Sequence, residues 1–224
     1  MRFSDGKQSN RIIKVTGEAS VSIKPDIAVL SVKISRLSQN YAEAVDQLET
    51  GVNEIKTAVS KLHIDVNQLK TASFNVNSEY EGYSDDNGVW KNRFVGYRAS
   101  ESLKLEIPLD NKLLANLLNA VTESSCNPEL YISFSVKDKT KAKDRVIAKA
   151  VKDSARKAKL LTDAAGVALG EIVAINYSFG ETALISPTVY NRDAGAMLCK
   201  ASANEITPED ITVSDSVSVV WEIK

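Results

Sequence analysis

The sequence predicts an α+β fold: two small lobes of mixed or antiparallel sheet with helices packed on one face. Two patterns indicate this class. In some runs apolar and polar residues alternate, as in strands, and in others apolar residues recur every three or four positions, as in helices. Both kinds of run are interspersed along the 224 residues. A chain of this length can bury a sizeable core.

The first two strands are predicted in the stretch VTGEASVSIKPDIAVLSVKI, residues 15–34, where two alternating runs meet at Lys-Pro-Asp. Pro25 cannot donate a ladder hydrogen bond but is tolerated in a turn, so we expect a hairpin here. Gly17 is the only glycine of the stretch, whereas a phosphate-binding loop needs several. We therefore interpret Gly17 as a bulge or as a close approach of two backbones.

The first helix is predicted over residues 40–62, with Ser38 or Asn40 as its N-cap. We expect its apolar stripe to pack on a sheet, with Asp46, Glu49 and Glu54 on the solvent side. The stripe consists of Tyr41, Val45, Leu48, Val52, Ile55, Val59 and Leu62.

A second hairpin is predicted from Leu69–Tyr80 and Trp90–Ile107, because Asn87-Gly88 between them is a strong turn signal. Asp85 and Asp86 resemble calcium ligands, but the acidic residue that an EF-hand loop needs later is missing. The sequence therefore predicts a turn and no metal site there.

The remaining elements are a short helix capped by Asp110, a strand near residues 131–136, a long helix over 138–165 and two further strands. Gly166 is expected to end the long helix. The two further strands are predicted at Glu171–Phe179 and Ile211–Ile223. The inward face of the long helix is expected to be built from Ala142, Val146, Ala150, Ala155, Ala158 and Leu161, whose small side chains permit a close approach to the layer beneath.

We expect the chain to divide into a first lobe of residues 11–92 plus 205–224 and a second lobe of residues 93–180. Residues 181–204 show little periodicity and are expected to form an extended loop or arm that could embrace a neighbouring copy.

The composition narrows the class of protein and its partners. The net charge of −1 gives no global attraction to nucleic acid, and no run of 18 apolar residues could span a bilayer. Met1–Asn10 lacks the apolar core of a secretory signal, so we expect a cytoplasmic protein or one whose leader has been removed. Cys126 and Cys199 do not have metal-ligand spacing, and a bridge between them stays open.

One face of the long helix is strongly basic. Residues 137–159 contain ten Lys or Arg and three Asp, a local charge of +7. At 100° per residue, six of these cations fall within about an 80° arc. Asp138, Asp144 and Asp153 are expected to lie off this arc. The six residues, called the basic stripe below, are Lys141, Arg145, Lys149, Lys152, Arg156 and Lys159.

Two interpretations of the basic stripe stay open: a solvated face, or a contact surface for negative charge. The negative partner would be an acidic protein surface, such as the acidic side of the first helix in a neighbouring copy, or an anionic lipid. Nucleic acid is not expected, because no aromatic residues interleave with the cations.

Catalytic residues are not predicted. The chain has one histidine, His63, at the end of the first helix, which argues against a Ser-His-Asp triad and a His-rich zinc site. Cys126 lies in a helix-end turn with no histidine nearby in sequence. We assign no catalytic, cofactor-binding or metal-binding residue. We therefore expect a protein that is not an enzyme. The alternative is a stress-protective or ligand-binding enzyme of unrecognised type.

The order of elements resembles the SIMPL-domain family, which includes bacterial periplasmic and outer-membrane-associated immunogenic proteins. The resemblance runs from Arg11 to Lys224. It implies an α+β fold of two small lobes, residence in the bacterial cell envelope and assembly into homo-oligomers, without an established catalytic activity. The stretches that carry it are VTGEASVSIKPDIAVLSVKI, LKTASFNVNSEY, GYRASESLKLEI, AKAVKDSARKAKLLTDAAGVALGEI and ITPEDITVSDSVSVVWEI.

Overall fold

The computed structural model describes residues 11–178, 183–191 and 206–224, with only the backbone of Asn191. Within these residues, three α-helices accompany two open antiparallel sheets, which confirms the α+β class. The predictions for Met1–Asn10 and for Cys199 concern residues outside this part. In chain order the elements are β1 Ile12–Ile23, β2 Ile27–Ser38, α1 Tyr41–Lys61, β3 Lys70–Ser84, β4 Trp90–Pro108, α2 Asn111–Thr122, β5 Glu129–Ser135, α3 Lys139–Ala165, β6 Leu169–Asn176, β7 Ile185–Asn191 and β8 Ile211–Ile223.

The elements form two compact units. The three-stranded unit contains residues 11–24, 136–178, 183–184 and 210–224, and the five-stranded unit contains residues 25–135, 185–191 and 206–209. The strand order is β1-β8-β6 in the first unit and β3-β4-β2-β5-β7 in the second.

Helix α3 covers one face of the three-stranded sheet. Val15 and Val21 of β1 and Val217 and Val219 of β8 are buried on that face. The helix faces them with residues four positions apart, and each step of four turns the stripe by about 40°. The helix therefore crosses the sheet obliquely on its buried residues Ala142, Val146, Ala150, Ser154, Ala158 and Thr162.

β1 and α3 approach each other closely at Gly17. A Cβ atom built on Gly17 would lie 2.0 Å from the carbonyl oxygen of Ala150 and 2.5 Å from the backbone nitrogen of Ser154. Only glycine fits there, because any side chain would collide with the helix backbone. The ladder between β1 and β8 is unbroken at Gly17, which pairs with Val217. Of the two interpretations of Gly17, the close approach is confirmed and the bulge is wrong.

The Asp153 carboxylate fixes the same helix to the same strand. Its Oδ2 accepts the N–H of Glu18 at 3.1 Å and lies 2.9 Å from Nζ of Lys157. The ammonium of Lys157 also donates to the carbonyl oxygen of Thr16, at 3.2 Å. The hydrogen bond from Lys157, followed by those from Glu18 and Arg156, holds the pKa of Asp153 well below its usual range.

The five-stranded sheet has β2 at its centre, hydrogen-bonded to β4 on one side and to β5 on the other. Leu48, Val52, Ile55 and Val59 of α1 lie in one core with β2 and with the buried leucines of α2. Two predicted N-caps are confirmed. Asn40 accepts from the N–H groups of Ala42 and Glu43, and Asp110 accepts from those of Lys112 and Leu113.

The predicted hairpin of β1 and β2 is wrong. β1 pairs with β8, in a ladder running from Ile12 opposite Glu222 to Ile23 opposite Ile211. β2 cannot pair with β1, because β4 and β5 occupy both of its edges. The second predicted hairpin, β3 with β4, is confirmed.

The two units also differ from the predicted lobes. A boundary at residue 92 would cut the paired strands β3 and β4, which belong to one sheet. Ile185–Asn191, predicted within the loop of residues 181–204, is the strand β7 and pairs with β5. Residues 181–182 and 192–204 of the predicted loop lie outside the described part.

Two helix faces differ from the prediction in detail. Leu161 of α3 is exposed, while Ser154 and Thr162 are buried in its place because the oblique stripe passes through them. Ala155 is half-buried. Tyr41, at the start of α1, is exposed and stands edge-on against Tyr97. Among the described residues, no helix is long and apolar enough to cross a membrane.

We expect Gly17→Ala to lower the free energy of unfolding by about 2 kcal/mol or more, because overpacking of a tight contact displaces the backbone. Urea unfolding followed by circular dichroism measures this change. Thr16→Ala is the matched control, since the Thr16 side chain is exposed and only its backbone carbonyl contacts α3. Equal stability of the Gly17 variant and the wild type would contradict the assigned approach.

We expect Asp153→Asn to destabilise the protein near neutral pH, with a difference that shrinks on acidification. A depressed pKa in the folded state contributes stability above the unfolded-state value of 3.8, and this contribution is lost as pH falls through the folded-state pKa. Urea unfolding at neutral pH and below pH 3.8 measures the difference. Asp163→Asn is the control, because Asp163 forms only an exposed pair with Lys159. A difference that is the same at both pH values would refute this role.

Candidate functional site

The candidate site is the face of α3 that is turned away from the three-stranded sheet. The helix begins where the Asp138 carboxylate accepts the N–H of Lys141 at 2.8 Å, and it ends at Gly166 in the left-handed conformation, with φ 71°. Both ends were predicted from the sequence. Because the buried stripe lies on one side, the polar residues of the helix are exposed on the other.

All six residues of the basic stripe are exposed on this face of α3. The structure therefore brings them onto one continuous surface, as the helical periodicity predicts. Whether this surface meets a partner stays a prediction.

Two of the six cations are neutralised within the helix. Nη2 of Arg156 lies 2.7 Å from Asp153, and Nζ of Lys159 lies 3.3 Å from Asp163. Asp163 lies outside residues 137–159, the segment for which the local charge of +7 was counted. Asp138 was expected off the arc, but by the 100° rotation it falls within it, where its carboxylate is used as the N-cap. The other cations, for which the described part of the chain offers no acidic partner within ion-pair distance, are Lys141, Arg145, Lys149 and Lys152.

The acidic side of α1 is smaller than the sequence predicts. Asp46 and Glu49 are exposed, as expected. Glu54 is half-buried, and its Oε1 accepts the hydroxyl of Ser125 at 2.7 Å. Its Oε2 is buried without a hydrogen-bond partner in the described residues. Glu54 therefore joins α1 to the end of α2 and does not extend the acidic surface.

A groove of about 640 Å³ lies between α1 and the end of α2. Its lining includes hydroxyl groups of Thr50, Thr57 and Ser124, which all donate to main-chain carbonyl oxygens. Those hydroxyls are therefore already engaged in structural hydrogen bonds.

His63 and Cys126 are the two residues that the sequence singled out for possible chemistry. His63 is exposed and follows the end of α1 with a positive φ of 58°. Cys126 is buried, and its Sγ lies 3.1 Å from the hydroxyl of Ser124. Within the described residues, no cluster of three or more His, Cys, Asp or Glu side chains could hold a metal ion.

Asp85 and Asp86, which resemble calcium ligands in the sequence, lie in the turn between β3 and β4. The Asp85 carboxylate accepts the N–H groups of Asn87 and Val89, both at 3.0 Å, and pairs with Lys91 at 2.6 Å. These hydrogen bonds, the one from Lys91 first, lower the pKa of Asp85. The carboxylate is thus engaged as a turn cap.

One exposed surface was missed by the sequence analysis. Tyr80, Trp90 and Phe94 project from the outer part of β3 and β4 into solvent. Strand alternation could have indicated it, because these residues fall on even positions that pair across the hairpin.

Comparison with known proteins gives one family and several relatives. The model of the SIMPL family, described as a protein of unknown function (DUF541), matches residues 13–221. The 26 kDa periplasmic immunogenic protein of Brucella melitensis biotype 1 is 28% identical over 228 residues, covering 95% of this chain and 84% of the relative. The uncharacterized protein YggE of Escherichia coli K12 is 24% identical over 213 residues, covering 95% of this chain and 83% of the relative.

The resemblance seen in the five sequence stretches is confirmed by a family match over nearly the whole described fold. Both sheets and all three described helices lie within the matched residues, apart from the outermost residues of β1 and β8. The chain belongs to the SIMPL family.

Proposed function

We propose that this protein is a non-enzymatic component of the bacterial cell envelope that acts through homo-oligomeric assembly and protein contacts. Its placement in the envelope is supported by the relatives named periplasmic immunogenic proteins. The contact function is supported by the surface of the three-stranded unit.

The observation that carries the proposal is the outer edge of β6. This strand ends the sheet order, and among the described residues it pairs only with β8. Its side chains Ile172, Val173 and Ile175 are exposed, and Leu160 and Leu161 of α3 are exposed in the same unit. An edge strand with open backbone groups and apolar side chains is a template for pairing with another chain.

The basic stripe adds positive charge to the surface of the same unit. Four neighbouring cations without acidic partners in the described part of the chain repel one another, and an acidic surface would relieve this repulsion. We propose that the stripe meets the exposed carboxylates Asp46 and Glu49 of a neighbouring copy. An anionic lipid surface is the competing partner, and the experiment on the stripe distinguishes the two.

We expect Ile175→Lys to lower the molar mass in solution, because a charge at the β6 edge opposes strand pairing and apolar contact. Light scattering across micromolar concentrations measures the mass. Thr212→Lys is the matched control, since Thr212 is exposed between the buried residues Ile211 and Val213 and so faces away from α3. Thermal unfolding should change little for either variant, as both positions are exposed. A wild type that is monomeric throughout the range would refute the assembly.

We expect the double reversal Lys149→Glu and Lys152→Glu to weaken assembly at low salt and to have less effect at high salt. Exposed charges are screened over about 10 Å at 0.1 M salt, so the effect of the stripe must fall as salt is added. Arg156 is left unchanged because its reversal would also break the pair with Asp153. Light scattering at both salt concentrations gives the result.

The matched control for the stripe is Lys70→Glu with Lys112→Glu, two exposed lysines of the five-stranded unit, which gives the same change in net charge. Sedimentation with vesicles that contain anionic lipid separates the two partners. Loss of vesicle binding at unchanged mass would assign the stripe to lipid. No change in either measurement would leave the stripe as a solvated face and refute the contact.

A further inference from the structure

The outer parts of β3 and β4 form a two-stranded ribbon that extends past the end of β2. The last pair between β2 and β4 joins Ser38 to Tyr97. Beyond it the β3–β4 ladder continues to Ser84 opposite Trp90. In the described structure this ribbon, residues 78–97, has no further strand on either side from Tyr80 to Phe94.

The two faces of the ribbon differ in chemistry. Arg93 pairs with Glu81 at 2.7 Å, and its guanidinium lies 5.9 Å from the ring centre of Tyr83. These side chains form a charged face. The cross-strand pairs Tyr80 with Phe94, Gly82 with Asn92 and Ser84 with Trp90 form the opposite face, called the aromatic face below. None of its residues carries a formal charge.

The indole of Trp90 lies close to the backbone of the ribbon at Gly82. A Cβ atom built on Gly82 would lie 2.5 Å from Cζ2 and 2.9 Å from Cε2 of the indole, so the ring covers the space above this glycine. The side chain is nonetheless 71% exposed. The edge of the indole that carries Nε1 therefore contacts the ribbon, and most of the ring is open to solvent.

The aromatic face continues from Trp90 towards the sheet. The rings of Tyr80 and Phe94 pack edge to face with their centres 5.6 Å apart. Those of Phe94 and Tyr97 pack in the same way with their centres 5.2 Å apart. Tyr97 in turn packs against Tyr41 of α1, with the two ring centres 5.7 Å apart. This network holds the rings in place, although Tyr80 is 62% exposed and Phe94 is 44% exposed.

The chemistry of this face favours an uncharged ligand that has both apolar and polar groups. Nucleic acid and anionic lipid call for cations, and the cations Arg93 and Lys91 of the ribbon are already paired with acidic residues on the charged face or in the turn. A sugar ring presents an apolar C–H face that stacks on an aromatic ring and hydroxyls that bond to amide or hydroxyl groups. The side chains of Asn92 and Ser84 lie on the same face as the rings.

The length of the aromatic face indicates a chain of sugars. Phe94 follows Trp90 by four positions, or about 13 Å along the ribbon. One sugar ring cannot cover both. We propose that the aromatic face of the ribbon binds a neutral saccharide chain, with Trp90 as the main stacking platform and Tyr80 with Phe94 as the second contact.

Calorimetric titration of the full chain with the hexasaccharide and the disaccharide of N-acetylglucosamine tests this proposal. We expect the hexasaccharide to bind about tenfold more tightly, because it can reach both contacts. Trp90→Ala should weaken hexasaccharide binding by about tenfold, and Tyr80→Ala should weaken it by less. Tyr83→Ala is the matched control, because it removes an aromatic ring of the same ribbon from the charged face.

Far-ultraviolet circular dichroism shows whether each variant is folded. If Trp90→Ala does not fold, Tyr80→Ala serves as the test. Absence of hexasaccharide binding at millimolar concentration would overturn the proposal, and so would equal losses for the variants on the two faces. Light scattering and sedimentation with neutral vesicles complete the experiment. A Trp90 variant that changes the molar mass or loses vesicle binding, without a loss of saccharide affinity, would assign the face to self-contact or to lipid instead.

Discussion

The contact between α3 and β1 at Gly17 is the constraint on which the three-stranded unit depends. The backbones approach so closely that the strand must carry glycine and the helix must carry small residues at the crossing. Ser154 lies at this point with its hydroxyl buried and unpaired among the described residues, so its size matters more than its polarity. The same contact directs the opposite side of α3, with its cations, towards solvent.

Features set by neighbouring residues could be predicted from the sequence, and features set by distant pairing could not. The caps Asn40 and Asp110, the end of α3 at Gly166 and the β3–β4 turn are local, and all of them were predicted. The partner of β1 is distant in sequence, and alternation is the same whichever strand lies alongside. One signal was available: Ile27–Leu30 is an unbroken apolar run, which is typical of a central strand buried on both faces.

The surfaces follow the same division. The basic stripe could be predicted because one helix carries it, and the pairing of Arg156 and Lys159 was available too, since their acidic partners lie three and four residues away on the same helix. Alternation within the hairpin indicates the aromatic face, but its continuation to Tyr97 depends on a register shift between Glu79 and Tyr80, and no local rule supplies that shift. The two surfaces suit different partners, since one is cationic beside an apolar edge and the other is neutral and aromatic.

The order in which the chain enters its two units has a consequence for synthesis on the ribosome. The chain passes from one unit to the other after Lys24, Ser135, Leu184 and Glu209. Most of the five-stranded unit is a continuous segment that can fold as soon as it emerges, whereas β1 is made before this segment and must wait for β8, which is made after it. A nascent chain therefore exposes an unpaired β1 until β8 has been made, and during this interval the edge of β1 is open to pairing with another chain.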